Sequence, residues 1–327
     1  MSVEFSHKFD EIISLENLLV AWRGFLSGKR KRVDVQAFAA NLMNNLFSLR
    51  YDLANHSYEH GDYVAFNIAD PKPRRIHKAT VRDRVVHHLL YKTLYDYFDW
   101  RFISDSFSCR NNKGVHRAMN RFKYFAGRVS KNHTKTCYVL KGDIRKFFAS
   151  IDQRILLGIL NRQIADADLL WLIRQVLASF DSGVAGVGLP LGNLTSQLFS
   201  NIYLNEFDRF VKQELLVKYY IRFADDFVIL STDKNYLADI LARLDIFLYD
   251  ILKLSLHPKK VFIKTYASGV DFLGWVHFPC HRQIRIVTKR RIIKRMAVGP
   301  KPATISSYCG LLSHGDAHEL RQRLNLT

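Results

Sequence analysis

The chain has 327 residues, 48% of them hydrophobic, with 49 Lys and Arg against 30 Asp and Glu, a formal charge of +19. That length supports a sizeable core shared by two or three lobes, and the basic surplus implies a polyanionic partner, nucleic acid or an anionic surface. Membrane insertion is excluded by the longest uncharged stretch, 182–205, which Gly, Pro, Asn, Ser and Gln interrupt.

The opening MSVEFSHKFDEIIS lacks the apolar run of a secretory leader. Cysteines 109, 137, 280 and 309 have no Cys-x-x-Cys spacing, which argues against a disulfide framework or zinc knuckle and for isolated buried thiols in a reducing cytoplasm. The histidine pairs His56/His60 and His87-His88 lack a second pair at metal spacing and read as structural or phosphate-facing.

In chain order, Leu15, Leu18, Leu19 and Trp22, then Phe38, Leu42 and Leu46, predict helices through residue 50 around a basic turn, Gly28–Arg32, suited to phosphate contact. Pro71-Lys72-Pro73-Arg74-Arg75 punctuates the chain before a helix carrying Val81, Val85, Val86, Leu89 and Leu90. A second helix spans Gly114–Phe125. A short apolar strand, Cys137–Leu140, ends at Asp143, and helical texture returns from Gln153 to Phe180. The uncharged stretch 183–194 leads into a helix running on to Leu216. After a hairpin comes an amphipathic helix, Tyr236–Leu252, and strands near 260–264, 271–278 and 283–287. Residues 282–301 hold eight Lys and Arg and no acid. Helix-rich segments around short strands predict an α+β protein with a small antiparallel sheet.

The hairpin is the decisive segment. In Tyr219-Tyr220-Ile221-Arg222-Phe223-Ala224-Asp225-Asp226-Phe227-Val228-Ile229-Leu230, two adjacent acids sit between two strand-like runs. Alone, an Asp-Asp turn is an ordinary solvated hairpin. With Asp143 at the end of another strand, three carboxylates can chelate two hard cations, and such a pair about 3.5–4 Å apart promotes in-line phosphoryl displacement. Lys72, Arg74 and Arg75 supply cations for a triphosphate, arginine forks matching phosphate geometry.

These motifs, in this order, resemble a reverse transcriptase over residues 65–315, and more narrowly the enzymes of diversity-generating retroelements. Pro71–Leu90, with Arg82-Asp83-Arg84, is similar to the first fingers motif. Ser106-Phe107-Ser108-Cys109-Arg110 through Gly114 and His116 resembles the second, departing from its Gly-Phe-Arg start but keeping the arginine. Lys141-Gly142-Asp143-Ile144-Arg145-Lys146-Phe147-Phe148 is similar to the palm motif of the first metal aspartate, which puts Phe148 at the sugar gate that excludes a 2′-hydroxyl. Gly188-Leu189-Pro190-Leu191-Gly192-Asn193-Leu194-Thr195-Ser196-Gln197 resembles the motif usually written Pro-Gln-Gly and ending in Ser-Pro. Leu191 replaces its glutamine and Gln197 its proline, the form of the diversity-generating enzymes. Phe223-Ala224-Asp225-Asp226 is similar to Tyr-x-Asp-Asp. Pro258-Lys259-Lys260 resembles the motif with a lysine near the leaving phosphates, Lys260 or Lys259 being the candidate, and Gly269–Trp275 the primer-grip turn.

The resemblance implies a right-hand polymerase: an N-terminal helical extension (1–70), fingers (71–136), a palm (137–278, with an insertion about 155–187) and a short basic thumb (279–327). Its implied activity is RNA-directed DNA synthesis, error-prone at template adenines, with two Mg²⁺ ions (Mn²⁺ as a substitute) on Asp143, Asp225 and Asp226. Lys72, Arg74, Arg75, Phe148, Leu191, Gly192, Gln197 and Lys260 would contact the dNTP. Arg110, Lys113, Arg282, Arg285, Arg290, Arg291 and Lys294 would follow template RNA and the RNA–DNA duplex. It further implies a small basic accessory protein oligomer, met by residues 1–60, no membrane, and a bacterial cytoplasmic setting. No maturase, endonuclease or RNase H-like region is expected. The alternatives are a retron-like, intron-derived or abortive-infection enzyme, or a catalytically silent RNA-binding scaffold.

Overall fold

The computed structural model describes residues 5–69 and 73–324. Helices α1 (Phe9–Ile12), α2 (Leu15–Leu26), α3 (Val33–Ala40) and α4 (Leu42–Ala54) open the chain. Strands β1 (Val64–Ile68) and β2 (Arg74–Lys78) pair antiparallel, followed by α5 (Val81–Asp99) and α6 (Val115–Val129). Next come β3 (Tyr138–Asp143), α7 (Phe147–Ser150), α8 (Gln153–Asn161), α9 (Ala167–Ala178) and α10 (Leu194–Arg209). The hairpin β4 (Tyr220–Phe223) and β5 (Asp226–Ser231) precedes α11 (Lys234–Asp250) and β6 (Phe262–Thr265). Strands β7 (Val270–Phe272), β8 (Trp275–His277) and β9 (Arg282–Ile284) precede α12 (Ile286–Met296), α13 (Pro302–Leu312) and α14 (His318–Arg323). Among these helices none is long and apolar enough to cross a membrane.

Local chemistry starts several of these helices. Ser14 accepts the Asn17 amide at α2, Thr80 that of Asp83 at α5, and Asp166 that of Leu169 at α9. Each satisfies one of the amides a helix start leaves unpaired.

The chain forms two compact, interleaved units: Met1–Ser104 with Ile144–Phe210 and Ile246–Leu256, and Asp105–Asp143 with Val211–Asp245 and His257–Thr327. The first is largely helical, with α2 and α10 against α5. The second holds a four-stranded sheet in the order β4-β5-β3-β6 and a three-stranded sheet β7-β8-β9, all neighbours antiparallel.

Within the second unit, Ala118, Phe122, Phe125, Ala126 and Val129 recur at helical spacing on α6 and are buried. They form one core with Val139, Ile221, Val228 and Leu230 of the sheet. Each buried aromatic stabilises this contact by about 2–3 kcal/mol. A separate cluster joins Met119, Trp275, Ile292, Tyr308 and Leu312.

Arg74 and Arg75 begin β2, whose partner strand is Val64-Ala65-Phe66-Asn67-Ile68, a hairpin outside the elements expected from the sequence. Two expectations about elements are corrected. The strand expected over 271–278 is a hairpin, because Leu273 and Gly274 take positive φ of 52° and 91° and reverse the chain. The helix expected to reach Leu216 ends regularly at Arg209 and continues as a wider turn, Phe210–Glu214. The four cysteines are free; Cys137 is buried, Cys309 is half-buried, and Cys109 and Cys280 are exposed, against the expectation of buried thiols.

Candidate active site

Strands β3 and β5 set the centre of the site. Their register places Asp143 directly opposite Asp226, and Phe223 faces Asp226 across the hairpin, leaving Ala224 and Asp225 as the turn. Ala224 adopts φ +53°, a left-handed conformation that costs an L-residue about 1–2 kcal/mol. Arg222, 1% exposed, steadies it by donating from Nη1 to the Ala224 carbonyl at 3.2 Å. The Arg222 backbone is held in turn, its amide donating to Asp105 O and its carbonyl accepting from Phe107 N, both at 3.0 Å. Segment 105–107 therefore flanks β4 and covers its edge.

Gly142 is required by close approach. A Cβ there would lie 2.1 Å from Cζ of Phe227, its partner in the register. The backbone beside Asp143 can approach β5 only because that position has no side chain.

Two lysines balance the acids. Lys260 Nζ donates to Oδ1 and Oδ2 of Asp143 at 2.9 and 3.0 Å. Its loop is fixed by His257 N donating to Asp143 O at 2.7 Å and Lys260 N to His257 O at 3.1 Å. Lys141, buried on β3 two residues from Asp143, brings Nζ to 3.4 Å from Asp226 Oδ1. That contact is one of charge only, since Oδ1 is buried with no hydrogen-bond partner.

Burial foremost, then the neighbouring Asp226 and Asp143, pushes the Asp225 carboxyl up to about 6, with Lys260 pulling the other way. Asp226 is also raised, by burial and by Asp143 against the opposing pull of Lys141. Among the described residues no group of three or more His, Cys, Asp or Glu side chains forms a ready-made metal cage.

The first unit gathers a second constellation. His77 N on β2 donates to Leu191 O at 2.9 Å, and Asn193 Nδ2 donates to His77 O at 3.2 Å. Gly192, at φ +109°, packs so closely that a Cβ would meet Ile76 Cγ2 at 2.7 Å. On its other side the loop donates from Leu189 N to Phe148 O and from Gly188 N to Ile151 O, both at 2.7 Å. Arg74 and Arg75 are exposed at the start of β2, while Phe148, Leu191 and Gln197 are half-buried. Lys72 lies outside the described residues.

The other basic residues divide. Arg110 donates to Ser106 O at 3.1 Å and Lys113 lies over the Phe107 ring. Arg282 donates to His314 O, and Arg285 pairs with Asp271. Arg290 and Lys294 are exposed on α12, and Arg291 is half-buried. Lys141 and Arg222 carry structural work that the sequence reading left unassigned; a cation inside an apolar strand was the available sign.

Residues 69–277 match the family model described as "Reverse transcriptase (RNA-dependent DNA polymerase)". The chain belongs to that family. Membership agrees with the α+β, right-hand polymerase class and with an RNA-directed DNA polymerase. Protein YkfC of Escherichia coli (strain K12) is 27% identical over 242 residues, covering 63% of this chain and 61% of its own. The Group II intron-encoded protein LtrA of Lactococcus lactis subsp. cremoris is 22% identical over 271 residues, covering 62% of this chain and 44% of its own. The chain thus spans less than two thirds of the length of these curated relatives. A solved structure of apo telomerase from Candida tropicalis, truncated from its C-terminal domain, aligns over 74% of this chain and 60% of its own, with 10% identity and a TM-score of 0.49.

Proposed function

We propose that this reverse transcriptase copies a retroelement's template RNA into cDNA with frequent errors at adenines, by nucleotidyl transfer at Asp143, Asp225 and Asp226. The observation that carries the reading is the register that sets Asp143 opposite Asp226, beside Asp225. The donor set fits Mg²⁺: three acids offer hard oxygen, and the buried Asp226 Oδ1 has no hydrogen-bond partner. Bound divalent ions would activate a primer 3′-hydroxyl and neutralise the departing pyrophosphate.

The chain's own groups do the rest. Lys260, more exposed than the Asp143 it touches, can turn its ammonium to a leaving phosphate. Arg74 and Arg75 offer guanidinium forks to the triphosphate. Phe148 bars a 2′-hydroxyl, and Gly192 and Gln197 shape the pocket. Leu191 supplies contact area where an amide would hydrogen-bond, so matched and mismatched pairs differ less in transition-state binding. Arg290, Arg291 and Lys294, with Arg110, Lys113, Arg282 and Arg285, follow the template–product duplex, an interaction that weakens with salt. The division into extension, fingers, palm and thumb, a small basic accessory protein meeting residues 1–60, and a bacterial cytoplasmic setting belong to the same reading.

A second reading is an intron-type enzyme, favoured by the likeness to LtrA, a group II intron-encoded protein. Primer extension on an RNA template, followed by cDNA sequencing, tests both. Substitutions concentrated at adenines support the first; even errors support the second. Synthesis that survives Asp225→Ala would remove the acid assignment altogether.

A further inference from the structure

A buried hydrogen-bond chain in the first unit reaches the start of α10, the helix that follows the loop carrying Leu191 and Gly192. His60 Nδ1 lies 2.7 Å from Gly61 O, His60 Nε2 is 3.2 Å from His87 Nε2, and His87 Nδ1 is 2.7 Å from Thr195 Oγ1. His87, Thr195 and the His60 side chain are each about 1% exposed, so no water replaces a missing partner.

For two neutral rings the donors follow by elimination. A carbonyl only accepts, so His60 Nδ1 carries hydrogen and, in the neutral ring, His60 Nε2 accepts. His87 Nε2 must then donate to it, which leaves His87 Nδ1 to accept from the Thr195 hydroxyl. Tyr63 lies 3.3 Å from His60 Nε2, but its hydroxyl is 3.0 Å from Ser179 Oγ. Because Ser179 donates to Val176 O, Tyr63 donates to Ser179 and does not compete. One direction, Thr195 to His87 to His60 to Gly61, satisfies every group with both rings neutral. Burial, foremost, holds His87 down at about 3, which keeps its ring uncharged.

We propose that His87 is a positioning residue for nucleotide selection, acting through Thr195. Thr195 stands in the first turn of α10, immediately after the loop whose Leu191 carbonyl pairs with His77 on the arginine-bearing strand β2. Fixing Thr195 fixes where Leu191 and Gly192 stand, and a small misplacement there is expensive in rate and selectivity. This rests on the proposed role of that loop.

The test compares Thr195→Val, which keeps the shape and removes the hydroxyl, with Thr195→Ser, which restores it. In the full chain, Thr195→Val raises the KM for dNTP and the misincorporation ratio about fivefold to tenfold, the scale of one lost buried hydrogen bond, with kcat little changed. Thr195→Ser returns both to within about twofold, and in a His87→Gln background Thr195→Val adds nothing further. Imidazole ¹⁵N shifts, assigned by comparison with His87→Gln, show His87 protonated at Nε2 and bare at Nδ1. Wild-type kinetics in Thr195→Val, equal loss in Thr195→Ser, additive effects, or the opposite tautomer would each overturn the proposal. If the wild type makes no cDNA, the proposed function fails, and the tautomer alone then judges the relay.

Discussion

Lys260 bridges both carboxyl oxygens of Asp143, at 2.9 and 3.0 Å, from a loop that Asp143 itself anchors through its backbone carbonyl. The acid and the cation that serves it are thus one local device, although 117 positions separate them in the chain. Lys260→Met is expected to slow nucleotide addition about 10²- to 10⁴-fold, the range of a lost proton donor, and Lys260→Arg to retain more activity. Single-turnover incorporation checks this. An unchanged rate in Lys260→Met would reduce the contact to a structural one.

Asp225 carries a stability cost when its carboxyl ionises. Its folded carboxyl titrates near 6, above its ordinary 3.8, because burial and then Asp226 and Asp143 penalise its charge. The folded state therefore binds this proton more tightly than the unfolded chain, and the cost of ionisation, absent below about 3.8, grows as pH rises through about 6. Asp225→Asn should abolish synthesis yet raise the melting temperature by about 1–3 °C at pH 8, and by less at pH 5. Thermal melts without divalent ions, at both pH values, decide it.

Asp34 shows the opposite sign. Although burial alone would raise it, the bonds from Lys78 at 2.7 Å and Arg84 at 2.6 Å hold its carboxyl down at about 2. Its contribution is full above 3.8 and is lost as pH falls through about 2. Because Asp34 is one-third exposed, solvent screening limits the effect. Asp34→Asn is expected to cost about 0.5–1 kcal/mol at pH 7, with the gap closing toward acid pH in denaturant titrations.

Gly142 tests the close approach of β3 and β5. Gly142→Ala forces a methyl into the Phe227 ring and should destabilise the fold by about 1–3 kcal/mol or displace β3, with loss of activity. Combining it with Phe227→Leu should recover part of the stability. A stable, fully active single variant would contradict the packing.

Leu191→Gln addresses fidelity. On the proposed role of that loop, an amide at position 191 is expected to lower misincorporation opposite template adenine severalfold while leaving correct incorporation within about twofold. Sequencing of cDNA from both proteins measures it, and an unchanged error spectrum discards the role given to Leu191.

The linear chain itself determined most element types, because they rest on local patterns such as the helical spacing in α6 and the paired runs around Asp225-Asp226; the β1–β2 hairpin and the reversal at Leu273-Gly274 were not legible in it. Motif order likewise disclosed the reverse transcriptase family. Only the tertiary structure decided the rest. That Asp143 faces Asp226 depends on strand register, which a slip of one residue would reverse. That Lys141 and Lys260 balance the acids, that Arg222 steadies Ala224, and that His87 reaches Thr195 across 108 positions follow from long-range packing. In each case a buried polar group must find its partner wherever the fold brings one, a constraint satisfied in space and not along the sequence.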